Sequence, residues 1–220
     1  MRLSAVTISF CGVFAMAQQA SVPVNQEPKH KVVLKNEYVE VLHVSIPPGQ
    51  STLFHTHSHD GVVVNLAEAQ IRIDVPGGGP SSIRYTHPAE VAAPAYSNAP
   101  FTHRVNNVGQ VPFEALDIEL LGRPKGIAAK GIAVPAAENE SALVYRWDLA
   151  PGASSPQHTH ERPYLVIAAT MVNLRMTAPD GTSTKYLAQP GDLHWMDAKI
   201  THTLINDGKI PGVIVEVELK

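Results

Sequence analysis

Only one cysteine occurs in the chain, Cys11, and it lies within the first twenty residues. Without that segment the protein can form no disulfide and can use no thiolate as nucleophile or metal ligand. Basic runs are also missing. The formal net charge is -3, and the 17% of residues that are charged are mixed in sign, so nucleic acid is not an expected partner. No apolar run reaches the ~20 residues that a helix needs to cross a bilayer. No stretch of a dozen residues carries helical periodicity. These absences leave a β-rich globular protein stabilised by its core, and a hydrophobic content of 44% can supply one.

The N-terminus has a composition of its own. "MRLSAVTISFCGVFAMAQQA" has one arginine, an apolar middle from Leu3 to Ala17 and the small pair Ala15-x-Ala17. Residues 1–20 therefore read as a secretory signal peptide, cleaved after Ala17 or Ala20. A periplasmic or secreted protein is expected, with no membrane attachment after cleavage. Ser9 and Phe10 before Cys11 do not resemble a lipoprotein processing site. Residues 21–30, polar and carrying Pro23 and Pro28, read as a flexible lead-in.

From Lys31 onward the texture is short alternating runs such as "VEVLHVSI", "FEALDIEL" and "GVIVEVEL", separated by "PPG", "PDG", "QPGD" and "NDG" turns. Many short strands at regular spacing predict an all-β sandwich or barrel. The Gly-, Ala- and Pro-rich segment 122–140 is the natural linker between a unit at 31–121 and a second at 141–220. The two units are copies. Gly49, His55, His57, His103 and Asn107 fall on Gly152, His158, His160, His202 and Asn206 once a four-residue deletion is allowed in the second.

Each copy reads Gly, five residues, His-x-His, a gap, then His-x-x-x-Asn. His-x-His on a strand turns both imidazoles to one face, because side chains alternate with period two. A third histidine about 45 residues later is expected to join them from a strand across the barrel. Three neutral imidazoles suit a divalent transition metal such as Fe, Mn, Zn, Ni or Cu, and leave positions open for water or substrate. The candidate ligands are His55, His57 and His103 in one copy and His158, His160 and His202 in the other. A histidine pair in a strand is common by itself. Two copies, each with a third histidine and an asparagine at matching offsets, make coincidence a poor account.

These residues resemble the cupin superfamily, whose motifs are G-x5-H-x-H-x3-4-E-x6-G and a second ending in H-x3-N. The resemblance covers roughly Lys31 to Lys220. It implies a bicupin of two tandem double-stranded β-helix (cupin, jelly-roll) barrels, with a metal in at least one. The motif glutamate is missing. Its positions are Gly61 and Val62 in the first copy and Tyr164 and Leu165 in the second. Asp60 or His59, and Glu161 or Tyr164, are the candidate substitutes, and Tyr164, Glu161 and Asp60 are the candidate catalytic side chains.

Some three-histidine cupins also lack the carboxylate, among them cysteine-type, gentisate-type and diketone-cleaving dioxygenases. The resemblance thus implies a dioxygenase-like oxidoreductase acting on a small, chelating or anionic molecule. A non-catalytic metal- or ligand-binding protein, or a non-redox lyase, isomerase or hydrolase, is the alternative. A secreted location disfavours Fe(II), which oxidises readily outside the cytoplasm. Cupin barrels often pair through edge strands, which makes a homodimer an expected partner beside the small-molecule substrate or ligand.

Overall fold

The computed structural model describes residues 20–79, 81–126 and 128–220. Residues 1–19, which hold nearly all of the expected signal peptide and Cys11, lie outside the described residues. Described residues form strands and one short 3-10 turn at Val24–Gln26. None of their helices is long and apolar enough to cross a membrane.

The protein is all-β, in two units of two facing sheets each. In the first unit, one sheet runs in the order Val22–Pro23, His55–His57, Phe101–Asn107, Ala69–Asp74, Ile83–Thr86. Its partner runs His30–Lys35, Val39–Ile46, Phe113–Leu120, Gly61–Asn65, Val91–Ala92. The second unit repeats the pattern. His158–His160, Ile200–Asn206, Val172–Thr177 and Ser183–Ala188 form one sheet. Ala137–Glu138, Ala142–Leu149, Gly212–Leu219, Tyr164–Ala168 and Leu193–Met196 form the other. The motif glycines Gly49 and Gly152 sit at φ +72 and +75 in the turn that leads to each His-x-His strand, a conformation that a side chain disfavours.

Among the described residues, three apolar clusters hold this arrangement. Val44, Ile46, Ile71, Val105 and Phe113 fill the first unit, and Leu149, Val166, Val172, Leu204 and Ile214 fill the second. The third cluster joins them: Val41, Val62 and Ile118 pack in one layer with Val144, Leu165 and Val217. The two units therefore meet sheet to sheet. This explains why the last strand of each is buried on both faces. Along Phe113–Leu120, Leu116, Ile118 and Leu120 belong to the shared layer, and Phe113 and Ala115 belong to the interior of their own unit. Period-two alternation puts Asp117 and Glu119 on the interior side as well. Glu216 and Glu218 hold the same place in the second unit, between Val215, Val217 and Leu219 of the shared layer.

Two segments are more ordered than their composition suggests. The lead-in expected to be flexible begins with Val22–Pro23, which pairs in parallel with His55–Thr56. Buried Glu27 then ties it down by accepting from the backbone N–H groups of Lys29 and Leu53. The stretch expected as linker contains the strand Ala137–Glu138, which pairs with Val144 and Leu143. Backbone pairing outweighs weak local propensity in both.

Candidate metal centres

In the first unit, His55 and His57 leave the short strand on one face, and His103 is the cross-strand partner directly opposite His55. His202 stands opposite His158 in the same register. The third histidine therefore comes from the adjacent paired strand, and not from across the barrel as expected. Directly opposed residues have Cβ atoms only about 5 Å apart, so the neighbouring strand is the shorter route.

His55, His57 and His103 each offer a ring nitrogen, and the three lie within 4.8 Å of one another. His55 Nδ1 donates to the Leu53 carbonyl at 3.0 Å and His57 Nδ1 donates to Glu119 Oε1 at 2.7 Å. Those bonds put the proton on Nδ1 and leave a lone pair on each Nε2. Both Nε2 atoms, and His103 Nδ1, are buried without a hydrogen-bond partner. Orphaned buried imidazole nitrogens are costly unless something positive satisfies them. The donor set therefore fits a divalent transition metal.

Burial, with neighbouring imidazoles, depresses His55 to about 4 and His103 to about 2, so both stay neutral and able to ligate. Burial also pulls His57 down, but the Glu119 hydrogen bond and the charges of Asp117 and Glu119 outweigh it, and His57 is raised overall. Asp117, 3.7 Å from His57 Nδ1, is pushed up to about 6, chiefly by burial.

The triad forms part of the wall of a cavity of about 390 Å³. Ile71, Phe101, Val105 and Phe113 make much of the rest apolar, and Tyr96, Arg84 and Asp117 add polar groups. His30, whose Nδ1 donates to Glu27 at 2.7 Å, packs its ring 4.7 Å from that of His55 and also lines the cavity.

In the second unit, His158, His160 and His202 converge with a fourth group, Glu216, and all four are buried. Glu216 Oε2 lies 3.1 Å from His158 Nε2, and its Oε1 lies 2.9 Å from His202 Nε2 and 3.4 Å from His160 Nε2. Burial opposes charge on Glu216, yet contact with the three imidazoles wins and holds its carboxyl well below the usual range. Tyr164 stacks on His160 with ring centroids 3.7 Å apart and shares a 2.9 Å hydrogen bond with His202 Nδ1. Trp147 stacks on His158 and donates from Nε1 to Glu216 Oε2 at 2.6 Å.

Of the candidate substitutes for the motif glutamate, Tyr164 adjoins a triad. Asp60 instead accepts from Ser97 N–H at 3.1 Å and from the Ser141 hydroxyl at 2.7 Å, which ties the first unit to the start of the second. Glu161 pairs with Lys130 at 3.2 Å toward the surface. His59 reaches Glu119 Oε2 at 3.3 Å with about half its side chain exposed. The carboxylates beside the triads are residues that sequence reasoning passed over: Asp117, Glu119, Glu216 and Glu218. Gly61 pairs with Glu119, and Tyr164 pairs with Glu218. The acid missing from the motif position thus stands on the adjacent strand. Its signal was present as "DIE" and "EVE", acids at period two inside otherwise apolar strands.

No family model matches the sequence. The chain is similar to the beta-alanine degradation protein BauB of Pseudomonas aeruginosa, with 29% identity over 99 residues, 45% of this chain and 98% of BauB. Among solved structures, one similar to it is YhaK of Escherichia coli, at TM-score 0.55 and 14% identity over 86% of this chain and 88% of that one. A cupin 2 conserved barrel domain protein from Leptotrichia buccalis aligns at TM-score 0.51 and 9% identity, over 87% of this chain and 88% of that one. Oxalate decarboxylase of Bacillus subtilis, described with Mn(II) centres, aligns at TM-score 0.52 and 14% identity, over 83% of this chain and 69% of that one.

Proposed function

We propose that this chain, whose two units each repeat the two-sheet fold seen in cupin structures, is a metal-binding bicupin whose first unit is a dioxygenase-like oxidoreductase centre. Its substrate would be a small organic molecule with a chelating, oxygen-bearing head and an apolar body. The observation that carries this reading is the meeting of three imidazoles, each with an unpartnered nitrogen, at the wall of a cavity of about 390 Å³.

A redox-capable metal there would supply Lewis acidity and electron exchange with O2. The chain's own residues do the remaining work. His55 and His103 are held neutral by burial. Glu119 orients His57 through Nδ1 and so aims Nε2 at the centre. Phe101, Val105 and Phe113 exclude water from the substrate's body. Three neutral ligands leave the metal's charge uncompensated in that shell, which favours enolates, catechol-like phenols and carboxylates. The N-terminal segment supports a further proposal, that the mature protein is periplasmic or secreted.

The test is O2 uptake by chelator-free, metal-analysed protein, against a panel of those three compound classes. Substrate-dependent uptake that disappears in the His55→Ala, His57→Ala double variant is the expected result. Turnover with Zn and without O2 would instead identify a non-redox lyase, isomerase or hydrolase. Tight binding without any product would identify a binding protein.

A further inference from the structure

One wall of the first unit's cavity stands between the two units. Glu90, Ala92, Pro94 and Tyr96 line the cavity along a single segment, 89–97. That segment has little pairing of its own: Val91–Ala92 is a two-residue strand against Val63 and Val64. On its other side Ala89, Val91 and Ala93 pack into the apolar layer shared with the second unit. Buried Ala89 adopts φ +61 there, a conformation that persists in a residue with a side chain only where the surroundings hold it. At the far end Tyr96 stacks on Phe101 with ring centroids 5.3 Å apart and lies 5.5 Å from the ring of His57. The placing of this segment therefore sets the room beside the triad.

Side chains of the second unit hold the segment at its start, middle and end. Arg146 Nη1 donates to the Ala89 carbonyl at 2.6 Å, while its Nε and Nη2 are fixed on Asp148. Asn139 Nδ2 donates to the Pro94 carbonyl at 3.0 Å and to the Gly61 carbonyl at 2.9 Å. Ser141 Oγ donates to Asp60 Oδ2 at 2.7 Å, and Asp60 Oδ1 accepts from Ser97 N–H at 3.1 Å. Duplication alone does not account for these bonds. Counting back from Gly49 and Gly152, Asn36 matches Asn139 and His43 matches Arg146. Asn36 and Asn139 build the same turn, each Oδ1 accepting from the backbone N–H groups that follow it. Asn139 adds the bonds across the units. His43 pairs inside its own unit, with Glu114 at 2.9 Å, where Arg146 crosses to the other. In the reverse direction Tyr38 stacks on Trp195 at 5.9 Å, an apolar contact.

We infer that Arg146, Asn139 and Ser141 of the second unit are positioning residues for ligand binding in the first. Apolar contact alone is non-directional and would let the segment slide, whereas directed bonds to its backbone fix its place. The second copy thereby sets which molecules fit beside the triad. A ligand that fills the cavity meets the wall, and one confined to the metal does not. This inference rests on the reading of the first unit as a metal centre for chelating organic molecules.

The test uses full-length, Co(II)-loaded protein and two probes. 4-Nitrocatechol chelates through two oxygens and carries a ring that must meet the wall, and azide is small enough to bind at the metal alone. Asn139→Asp keeps the acceptor of its turn and loses the donor. Arg146→Met keeps the stem and loses the donors. In each variant, hydrogen exchange at the amides of 89–97 is expected to quicken about tenfold, with Phe113–Leu120 unchanged. The 4-nitrocatechol dissociation constant, read from its absorption, is expected to rise about tenfold, with azide binding and metal content as in the wild type. Equal weakening of both probes would place the damage at the metal centre and overturn the inference, as would unchanged 4-nitrocatechol affinity. A wild type that takes up no Co(II), or that binds azide and not 4-nitrocatechol, would instead defeat the reading of the first unit. Exchange then decides the clamp by itself, and unchanged rates at 89–97 overturn it.

Discussion

Glu119 illustrates how a residue outside the motif shapes a motif histidine. Its carboxylate accepts a 2.7 Å hydrogen bond from His57 Nδ1–H, which keeps the proton on Nδ1 and leaves Nε2 free for the metal. The amide of Glu119→Gln can present either end to Nδ1, so it loses the charge and the fixed tautomer while nearly preserving shape. The expected result is a drop of about 10–100-fold in metal affinity at the first centre, with the second unchanged, read by competition with a metal indicator. His55 and His103 are expected to make the metal-free protein acid-sensitive. Their folded values, about 4 and about 2, lie below the ~6.5 of an unfolded histidine. The unfolded state thus binds more protons as pH falls. The stability present above ~6.5 is lost on the way to about 4 for His55, and continues to fall toward about 2 for His103. Raised His57 acts in the opposite sense. Denaturant midpoints of chelator-treated protein at pH 7 and pH 4.5 are expected to converge in His103→Leu, relative to the wild type. An unchanged gap would refute the assignment.

Strand by strand, the parts of the site that follow local rules were the legible ones. His55 and His57 had to share a face, and the copy offsets matched His103 with His202 and Asn107 with Asn206. The partner strand and the acid were harder to see, because both depend on pairing between strands far apart in sequence. "FEALDIEL" and "GVIVEVEL" read as plain strands until the shared apolar layer occupies one face, which forces the acids onto the other. The asparagines at the end of each motif are turn clamps. Asn107 donates to the Ile46 and Val111 carbonyls and accepts from Gly109 N–H. Asn206 makes the same three bonds with Leu149, Ile210 and Gly208. Replacing either with alanine strands buried backbone groups, at about 1–3 kcal/mol for each group left unsatisfied. Urea unfolding is expected to show a loss of at least that size for both Asn107→Ala and Asn206→Ala, with the metal ligands untouched. A change under half a kcal/mol would mean that water replaces the clamp.

The whole molecule is two copies that share one apolar layer, so neither half's last strand is complete without the other. Ile118, Val62 and Val41 from one unit and Val217, Leu165 and Val144 from the other are all essentially inaccessible to solvent. Separated, each half would expose a contiguous apolar sheet face, the kind of surface that soluble proteins keep small. The layer should therefore couple the two units. Ile118→Ala leaves a cavity in it and is expected to cost about 2–5 kcal/mol. The site of the change is in the first unit, but the loss is expected in the unfolding of both. Calorimetry of the metal-free protein should show one transition, shifted to lower temperature as a whole. A split into two, with only the first moved, would show that the units fold as separate bodies. The backbone behind Asp117 and Glu119 would then be held by the first unit alone, and a change in the shared layer could not reach the second metal centre.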